Sequence, residues 1–539
     1  MTCDGCSPPE APPRRSSNSS ASAPERALAG SASRPVTAEE GCAMTHSRPR
    51  IVLLFAALSL VTLLTSLSQH LFVPALPVIA AELDGLEQMS WVIVAFILAS
   101  IPTMPIFGKL SDVFGRRALI VIGIAIFTAG SLAGALAPTM EWLIFARVLQ
   151  GAGSGALVIL PQAAVADVVP ARQRGLYAGI LSTVFAAASI AGPFVGGLLA
   201  QGPGWRWGFW LNVPLGVIAL LSTAFLLRLP KPERSGRVRI DYAGMALISV
   251  ATTALALVTT WGGAAYEWTS PQIVGIAAVG LGAAIALPFV ERRAAQPVLP
   301  LTLFRDADFV FTSVAAIGLA MAMFAFLGYL PTFAQMTLGA RPADAGLVMI
   351  PMAVGTLLGS TASGQIVART GRYKLVLIVA AVIVAAGAGL MAATVHDSAI
   401  WVIAAAGGIV GFGIGSSFGN IVLAVQNAFP HAIVGVATAA TSLFRQIGGM
   451  FGTSLVGAMF VRGLSERLVE RLPEGQLADI GTSPAPDVVH ALPDGVQDVV
   501  IGAFTDAMLP VYLLMTIVAL VAAGVLGFIR PRALAEAIE

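Results

Sequence analysis

The sequence predicts an all-α polytopic membrane protein with about fourteen transmembrane helices. Three observations carry that expectation. Of the 539 residues, 57% are hydrophobic and 11% charged, with a mean hydropathy of +0.84, whereas a soluble domain carries about 25% charged residues to keep its surface wet. The apolar residues come in long uncharged runs, not in the alternating segments of about ten residues that mark a transmembrane β-barrel. Lys and Arg gather in every second loop, as they do in loops that stay on the cytoplasmic side. A net charge of +2 gives no reason to expect a nucleic-acid partner.

Residues 1–48 are rich in Ser, Ala, Pro and Arg and lack hydrophobic periodicity. Such a composition does not offset the entropy of ordering, so a disordered cytoplasmic tail is expected. The tail has no apolar core of the kind a signal peptide needs. Met44, just before the first apolar run, is the expected natural start, which makes residues 1–43 an upstream extension. All three cysteines, Cys3, Cys6 and Cys42, lie in the tail, and Cys3-x-x-Cys6 has no second ligand pair to complete a metal site.

Spans are predicted near 51–79, 90–110, 118–137, 141–167, 175–199, 207–228, 242–261, 271–290, 308–331, 343–367, 374–395, 399–428, 433–461 and 504–529. Each is long enough for a hydrocarbon core of ~30 Å at ~1.5 Å per residue. With both termini inside, the inner loops and flanks hold twenty Lys and Arg residues; the outer loops hold five, Arg206, Arg341, Arg462, Arg467 and Arg471. That asymmetry supports an even number of spans with cytoplasmic termini. Between the last two spans, 462–503 is polar, Pro-containing and net acidic. Val461 to Leu472 reads as a short amphipathic helix there, and the rest as a flexible outer loop.

GKLSDVFGRR, Gly108 to Arg117, follows the second span. Gly108 and Gly115 permit close approach and unusual backbone angles, Asp112 suits a helix N-terminus or an Arg, and Arg116 and Arg117 anchor the inner face. GQIVARTGR, Gly364 to Arg372, keeps both glycines, the aliphatic residue and the Arg at the same offsets, with Ala368 in place of the acid. Two such halves suit a transporter that rocks about a site between them. Arg147 lies inside the fourth span and Arg445 inside the thirteenth. A buried Arg costs roughly 2.5–3.5 kcal/mol, so each must face the bundle interior or a wet cavity, either for function or to hold carbonyls. Gly192, Pro193, Gly196 and Gly197, in GPFVGG, let the fifth span bend and pack closely. Gly411, Gly415 and Gly419 form a second small-residue face.

These motifs resemble the major facilitator superfamily, whose loop between helices 2 and 3 carries G-x-L-x-D-x-x-G-R. GPFVGG is similar to that family's antiporter motif, G-P-x-x-G-G. With Trp205 to Gly216, Pro74 to Gly85 and the extra span pair at 242–290, the chain resembles the fourteen-helix drug:proton antiporter branch, the QacA/EmrB-like multidrug exporters. The resemblance covers 51–460 and the final span. It implies a major facilitator fold: an N-terminal six-helix bundle at 49–230, an inserted helix pair at 231–295, and a C-terminal six-helix bundle at 296–530 that includes the 462–503 loop. Residues 531–539 then form a cytoplasmic tail. It further implies that Gly108, Asp112, Gly115, Arg116 and Arg117 gate the cytoplasmic side, latched in the outward-open state, and that Arg147 takes part in proton coupling.

One departure matters. The branch carries an Asp seven positions before the A-L-P tripeptide, and here Ser68 stands there, followed by Gln69 and His70. No Asp or Glu lies deep in any predicted span, which weighs against dicationic substrates and leaves the proton carrier open. His70 is a candidate because imidazole titrates near neutrality, or else it is a hydrogen-bonded packing residue. Candidate cavity residues are Ser68, Gln69, Asn420, Gln426, Asn427 and Arg445, with Phe324, Phe326 and Tyr329 as apolar walls; Gln426 and Asn427 suit helix capping equally well. The expected function is export of lipophilic drugs or toxic small molecules across the cytoplasmic membrane by a monomer. The proton gradient supplies the energy and no cofactor is needed. The alternative is an exporter of an endogenous metabolite or lipid, with or without coupling to protons. A membrane enzyme would need clustered nucleophiles, carboxylates or metal ligands at membrane depth, and the five histidines are scattered.

Overall fold

A computed structural model describes residues 48–473 and 486–534, with breaks at 86–87, 90, 170, 228–240, 264–265, 340–346, 397–398, 431–432, 491, 531 and 533. The expected N-terminal tail with its start at Met44, the 230/231 boundary, the middle of the 462–503 loop and most of the 531–539 tail lie outside the described residues. The described elements are helical. They are α1 (Arg48–Leu71), α2 (Leu76–Glu82), α3 (Trp91–Phe114), α4 (Arg116–Ala135), α5 (Met140–Val168), α6 (Ala171–Gln201), α7 (Arg206–Leu226), α8 (Tyr242–Trp261) and α9 (Pro271–Glu291). After them come α10 (Ala307–Leu338), α11 (Ile350–Thr370), α12 (Tyr373–Thr394), α13 (Ile400–Ala428), α14 (Val434–Arg471) and α15 (Asp494–Leu526). Thirteen of the described helices are long and apolar enough to cross a membrane. The further long helix, α11, has 21 residues and falls short in hydropathy because Gly, Ser and Thr take the place of larger apolar residues.

Local chemistry sets the helix starts. Thr139 accepts a hydrogen bond from the Trp142 amide at 3.3 Å and opens α5. Ser270 followed by Pro271 opens α9, and the Asp306 carboxylate accepts from the Asp308 and Phe309 amides at 3.0 and 3.2 Å to open α10. Two predicted boundaries are corrected. The first span does not run to 79: α1 ends at Leu71, and the chain turns through Phe72–Ala75 before the short α2. Pro74 cannot donate to the helix ladder and restricts the residue before it, while the unbroken apolar run hid the turn. In the 462–503 segment the helix expected from Val461 to Leu472 is present, but as the end of the 38-residue α14, which runs unbroken to Arg471, and α15 begins early, at Asp494. No Gly-Pro break interrupts RGLSERLVER, and Arg462 pairs with Glu466 one turn on at 2.7 Å.

α1 and α3–α7 make the N-terminal bundle, α10–α15 the C-terminal one, and α8–α9 the inserted pair. Leu58, Val61, Phe127 and Leu157 belong to the first core, and Phe326, Phe333, Met391 and Phe504 to the second. A third cluster, with Ile101, Ile248, Phe309, Val436 and Leu443, joins both bundles and the insert. Lipid tails are as apolar as these side chains, so close helix packing holds the bundles together more than exclusion from water does. α11 and α13 show this best: a Cβ on Gly411 or Gly415 would lie 2.1 Å from the Met352 or Thr356 carbonyl oxygen. The insert leans on α3 through Trp91 and Trp261, edge to face with ring centres 5.4 Å apart. It leaves Val279, Leu281 and Phe289 exposed along α9, as a lipid-facing helix does.

Two polar clusters tie the ends. At one, Glu82 accepts from Trp205 Nε1 at 2.7 Å and pairs with Arg206, which donates to the Ala137 carbonyl at 3.1 Å. The Arg206 hydrogen bond holds the Glu82 carboxyl below the usual carboxylate range. These contacts join the two segments Pro74 to Gly85 and Trp205 to Gly216. At the other end, Arg532 pairs with Asp306 at 2.6 Å and Asp308 at 3.1 Å and donates to the Ala428 carbonyl at 2.8 Å, so the chain beyond α15 docks beneath α10 and α13.

Candidate translocation site

The turn between α3 and α4 defines the basic end of the molecule. Gly115 has φ 91°, an angle that an L side chain rarely adopts, and it lets α4 start at Arg116 directly after α3. Arg116 is buried, pairs with Asp167 at the end of α5, donates to the Ala163 carbonyl and lies 3.6 Å from Asp112. Asp112 reaches across to the C-terminal bundle and accepts from the Val436 amide at 3.0 Å. That amide belongs to the first turn of α14, where the helix carries partial positive charge and unpaired N–H groups. Two glycines make the approach possible. A Cβ on Gly435 would fall 2.1 Å from Asp112 Oδ1, and one on Gly108 would fall 2.5 Å from Ala439 Cβ. Arg117 donates to the Ala224 carbonyl of α7.

The repeat motif occupies the matching place in the other half. Gly371 has φ 70° between α11 and α12, and Gly364 presses on Leu176 of α6, where a Cβ would lie 2.6 Å from the Leu176 Cα. Thr183 and Ser360 share a hydrogen bond of 2.8 Å between the same two helices. Ala368 offers no carboxylate at the place that Asp112 holds in the first motif.

Arg147 is fully buried inside the N-terminal bundle. Its Nε donates to the Val92 carbonyl at 2.7 Å, and its Nη1 to Gln150 Oε1 at 2.6 Å and the Ser68 carbonyl at 3.3 Å. The guanidinium lies between the Phe72 and Phe96 rings, 5.1 and 4.3 Å from their centres. Gln150 donates to Ser131 at 2.9 Å and Ser68 at 3.4 Å, and Asn212 donates to Ser68 at 2.6 Å. Ser68 is therefore an interior hub with no exposure, not a cavity wall. Gln69 is half-buried beside it.

His70 lies against the antiporter motif. A Cβ on Gly192 would meet the His70 Cβ at 3.0 Å, and one on Gly196 would sit 1.7 Å from the Leu71 carbonyl oxygen, whereas Gly197 has nothing within 4 Å. Pro193, the next residue along α6, is exposed. The His70 Nε2 is buried without a hydrogen-bond partner.

Between the bundles lies a cavity with about 30 Å³ of free space, room for one or two waters. Thr62 and Thr65 of α1, Gln162 of α5 and Phe185 of α6 line one side; Phe324, Thr356, Phe418 and Arg445 line the other. Of the residues nominated from sequence, Phe324 and Arg445 are there. Phe326 instead packs on Tyr512, and Tyr329 on Phe460, with ring centres 5.6 and 5.7 Å apart. Asn420 is buried and donates back to the Ser416 carbonyl at 2.8 Å. Gln426 bridges the bundles at the basic end, donating to the Gln162 carbonyl at 3.1 Å and Thr438 at 3.3 Å. Asn427 hydrogen-bonds Tyr373. Sequence reasoning missed Gln162, Gln150 and Asn212. Each is an amide inside an apolar run, the same signal that marked Arg147.

Two helical bundles related by an internal repeat, an inserted helix pair, and a cavity between the bundles that is shut at one end define a multi-pass membrane transporter. Residues 58–453 match the model of the Major Facilitator Superfamily, and the chain belongs to that family. It is 36% identical over 497 residues to an uncharacterized MFS-type transporter of Mycobacterium tuberculosis, covering 90% of this chain and 69% of the relative. It is 31% identical over 421 residues to the multidrug transporter protein MdtP of Bacillus subtilis, covering 78% and 77%. Among solved structures it is similar to the proton:xylose symporter XylE, with a TM-score of 0.59 and 17% identity over 90% of this chain and 98% of that one, a likeness of fold.

Proposed function

We propose that this transporter exports lipophilic small molecules across the cytoplasmic membrane in exchange for protons, with both termini in the cytoplasm. The observation that carries the reading is the closure of the aromatic-lined cavity at the basic end, where Asp112 caps α14 and Gln426 meets Gln162. The excess of Lys and Arg supports a cytoplasmic position for that end, and in this reading the conformation is closed inward. The printed name of the Bacillus subtilis relative supports a drug-like substrate. Breaking the Asp112 contact and re-forming it would alternate access to the cavity.

Coupling is proposed to run through His70 and Arg147. The His70 ring follows Ser68 by two residues, and the Ser68 hydroxyl and carbonyl are held by Arg147, Gln150 and Asn212. A proton on His70 adds a charge at the edge of this network and against α6 at Gly192. The chain works as a monomer in this reading, and the proton gradient replaces any cofactor. The test is efflux of a panel of neutral, anionic and cationic lipophiles from proteoliposomes with an imposed pH gradient. Gradient-driven transport that His70→Ala uncouples supports the reading; flux indifferent to the gradient would overturn proton exchange.

A further inference from the structure

We propose that the central cavity selects lipophilic anions, with Arg445 as the counter-ion for a carboxylate or sulfonate. This deepens the export reading and rests on it. Two cations of the membrane region are engaged within the N-terminal bundle, although the Arg147 Nη2 is buried there without a partner. Arg147 is surrounded by carbonyls, an amide and two rings, sealed from the cavity, and Arg116 is paired with Asp167. Arg445 differs. It lines the cavity, and its guanidinium lies over the Phe418 ring at 5.2 Å, an attraction that offsets part of its desolvation and leaves the N–H edge free. No Asp or Glu lines the cavity among the described residues.

An uncompensated guanidinium in a low-dielectric site attracts an anion strongly, and its planar fork matches a carboxylate or sulfonate in bidentate fashion. Phe185, Met323, Phe324 and Phe418 supply apolar walls for the body of such a molecule. A cationic drug finds the opposite: a fixed like charge and no acid to offset it. Ser68 supplies no charge to the cavity, since its hydroxyl is turned into the N-terminal bundle.

The test uses three ligands with one apolar body: biphenyl-4-carboxylate, biphenyl-4-carboxamide and biphenyl-4-methylammonium. Binding to the full chain in detergent is measured by isothermal titration. The carboxylate is expected to bind at least about tenfold tighter than the amide, about 1.4 kcal/mol, with the ammonium weakest. Arg445→Gln should bring the carboxylate down to the amide's affinity and leave the amide within about twofold; Arg445→Lys should retain the preference for the anion. Equal binding of carboxylate and ammonium by the unaltered protein, a comparison that needs no variant, would overturn the anion proposal alone. An Arg445→Gln protein that loses carboxylate and amide equally would make Arg445 structural and also overturn it. Failure of all three ligands to bind the folded protein would defeat the cavity reading beneath it.

Discussion

Asp112 of α3 accepts a hydrogen bond from the amide of Val436 of α14, 3.0 Å away and 324 residues along the chain. A carboxylate bound to the N-terminal turn of a helix gains from both the hydrogen bond and the helix dipole. Asp112→Asn keeps an acceptor oxygen but loses the charge, which is worth about 1–2 kcal/mol, or a roughly 5–30-fold shift toward opening at the basic end. Labelling of a cysteine at Thr438 by a membrane-impermeant maleimide, in a background without Cys3, Cys6 and Cys42, should accelerate accordingly. An unchanged labelling rate would remove the contact from the gate.

Gly435 is expected to share that role. Its added methyl would enter the space of Asp112 Oδ1, so Gly435→Ala should speed the same labelling. The double variant with Asp112→Asn should be little faster than either single one, because both break one contact. Additive effects would mean that the two residues act separately.

Ser68→Ala should lower stability by about 1–3 kcal/mol, since the buried amides of Asn212 and Gln150 each lose one of two acceptors, keeping Gly208 and Ser131. Thermal unfolding in detergent reads this directly, and an unshifted midpoint would show that the donors find other partners.

The paired glycines of α6 make an internal control. Gly196→Ala places a methyl on the Leu71 carbonyl and must push α6 from α1, at a cost of about 1–3 kcal/mol. Gly197→Ala meets open space and should stay within about 0.5 kcal/mol of the original protein. The stabilities of the two variants, measured side by side, decide whether backbone contact at 196 matters.

How much of this was legible in the sequence depended on charge and spacing. Asp112, Arg116 and Arg147 stood out because an apolar run makes each charge conspicuous, and Gly411 and Gly415 because their four-residue spacing puts both on one face. Facing was not legible. Phe324 and Phe326 lie two residues apart and so project about 200° apart around α10; one lines the cavity and the other the C-terminal core. In a soluble helix the wet face would have told them apart, but here lipid and core sides are equally apolar. Ser68 was misplaced for the same reason. The turn after Leu71 was hidden because Phe72 and Val73 continue the apolar run into Pro74.

Acid should loosen the end held by Glu82 and Arg206. The Glu82 carboxyl is held below its ordinary 4.5, chiefly by the Arg206 hydrogen bond. A group whose folded pKa is lowered contributes stability above its unfolded pKa and loses it as pH falls through the folded value. Glu82→Gln should therefore unfold at lower temperature than the original protein near neutrality, with the gap closing below about pH 4. Melting curves across that range check the sign, and a gap that widens in acid would contradict it.

The length of α14 gives the C-terminal bundle a lever. From Arg445 at the cavity to Arg471 at the tip, the helix runs about 39 Å, so a rotation of the bundle by about 10° swings the tip by about 7 Å. Arg471 is tied there to Asp506 of α15, which makes the two helices swing together. A spectroscopic distance label at this tip would register small angular steps of the transport cycle that are too slight to resolve at the fulcrum.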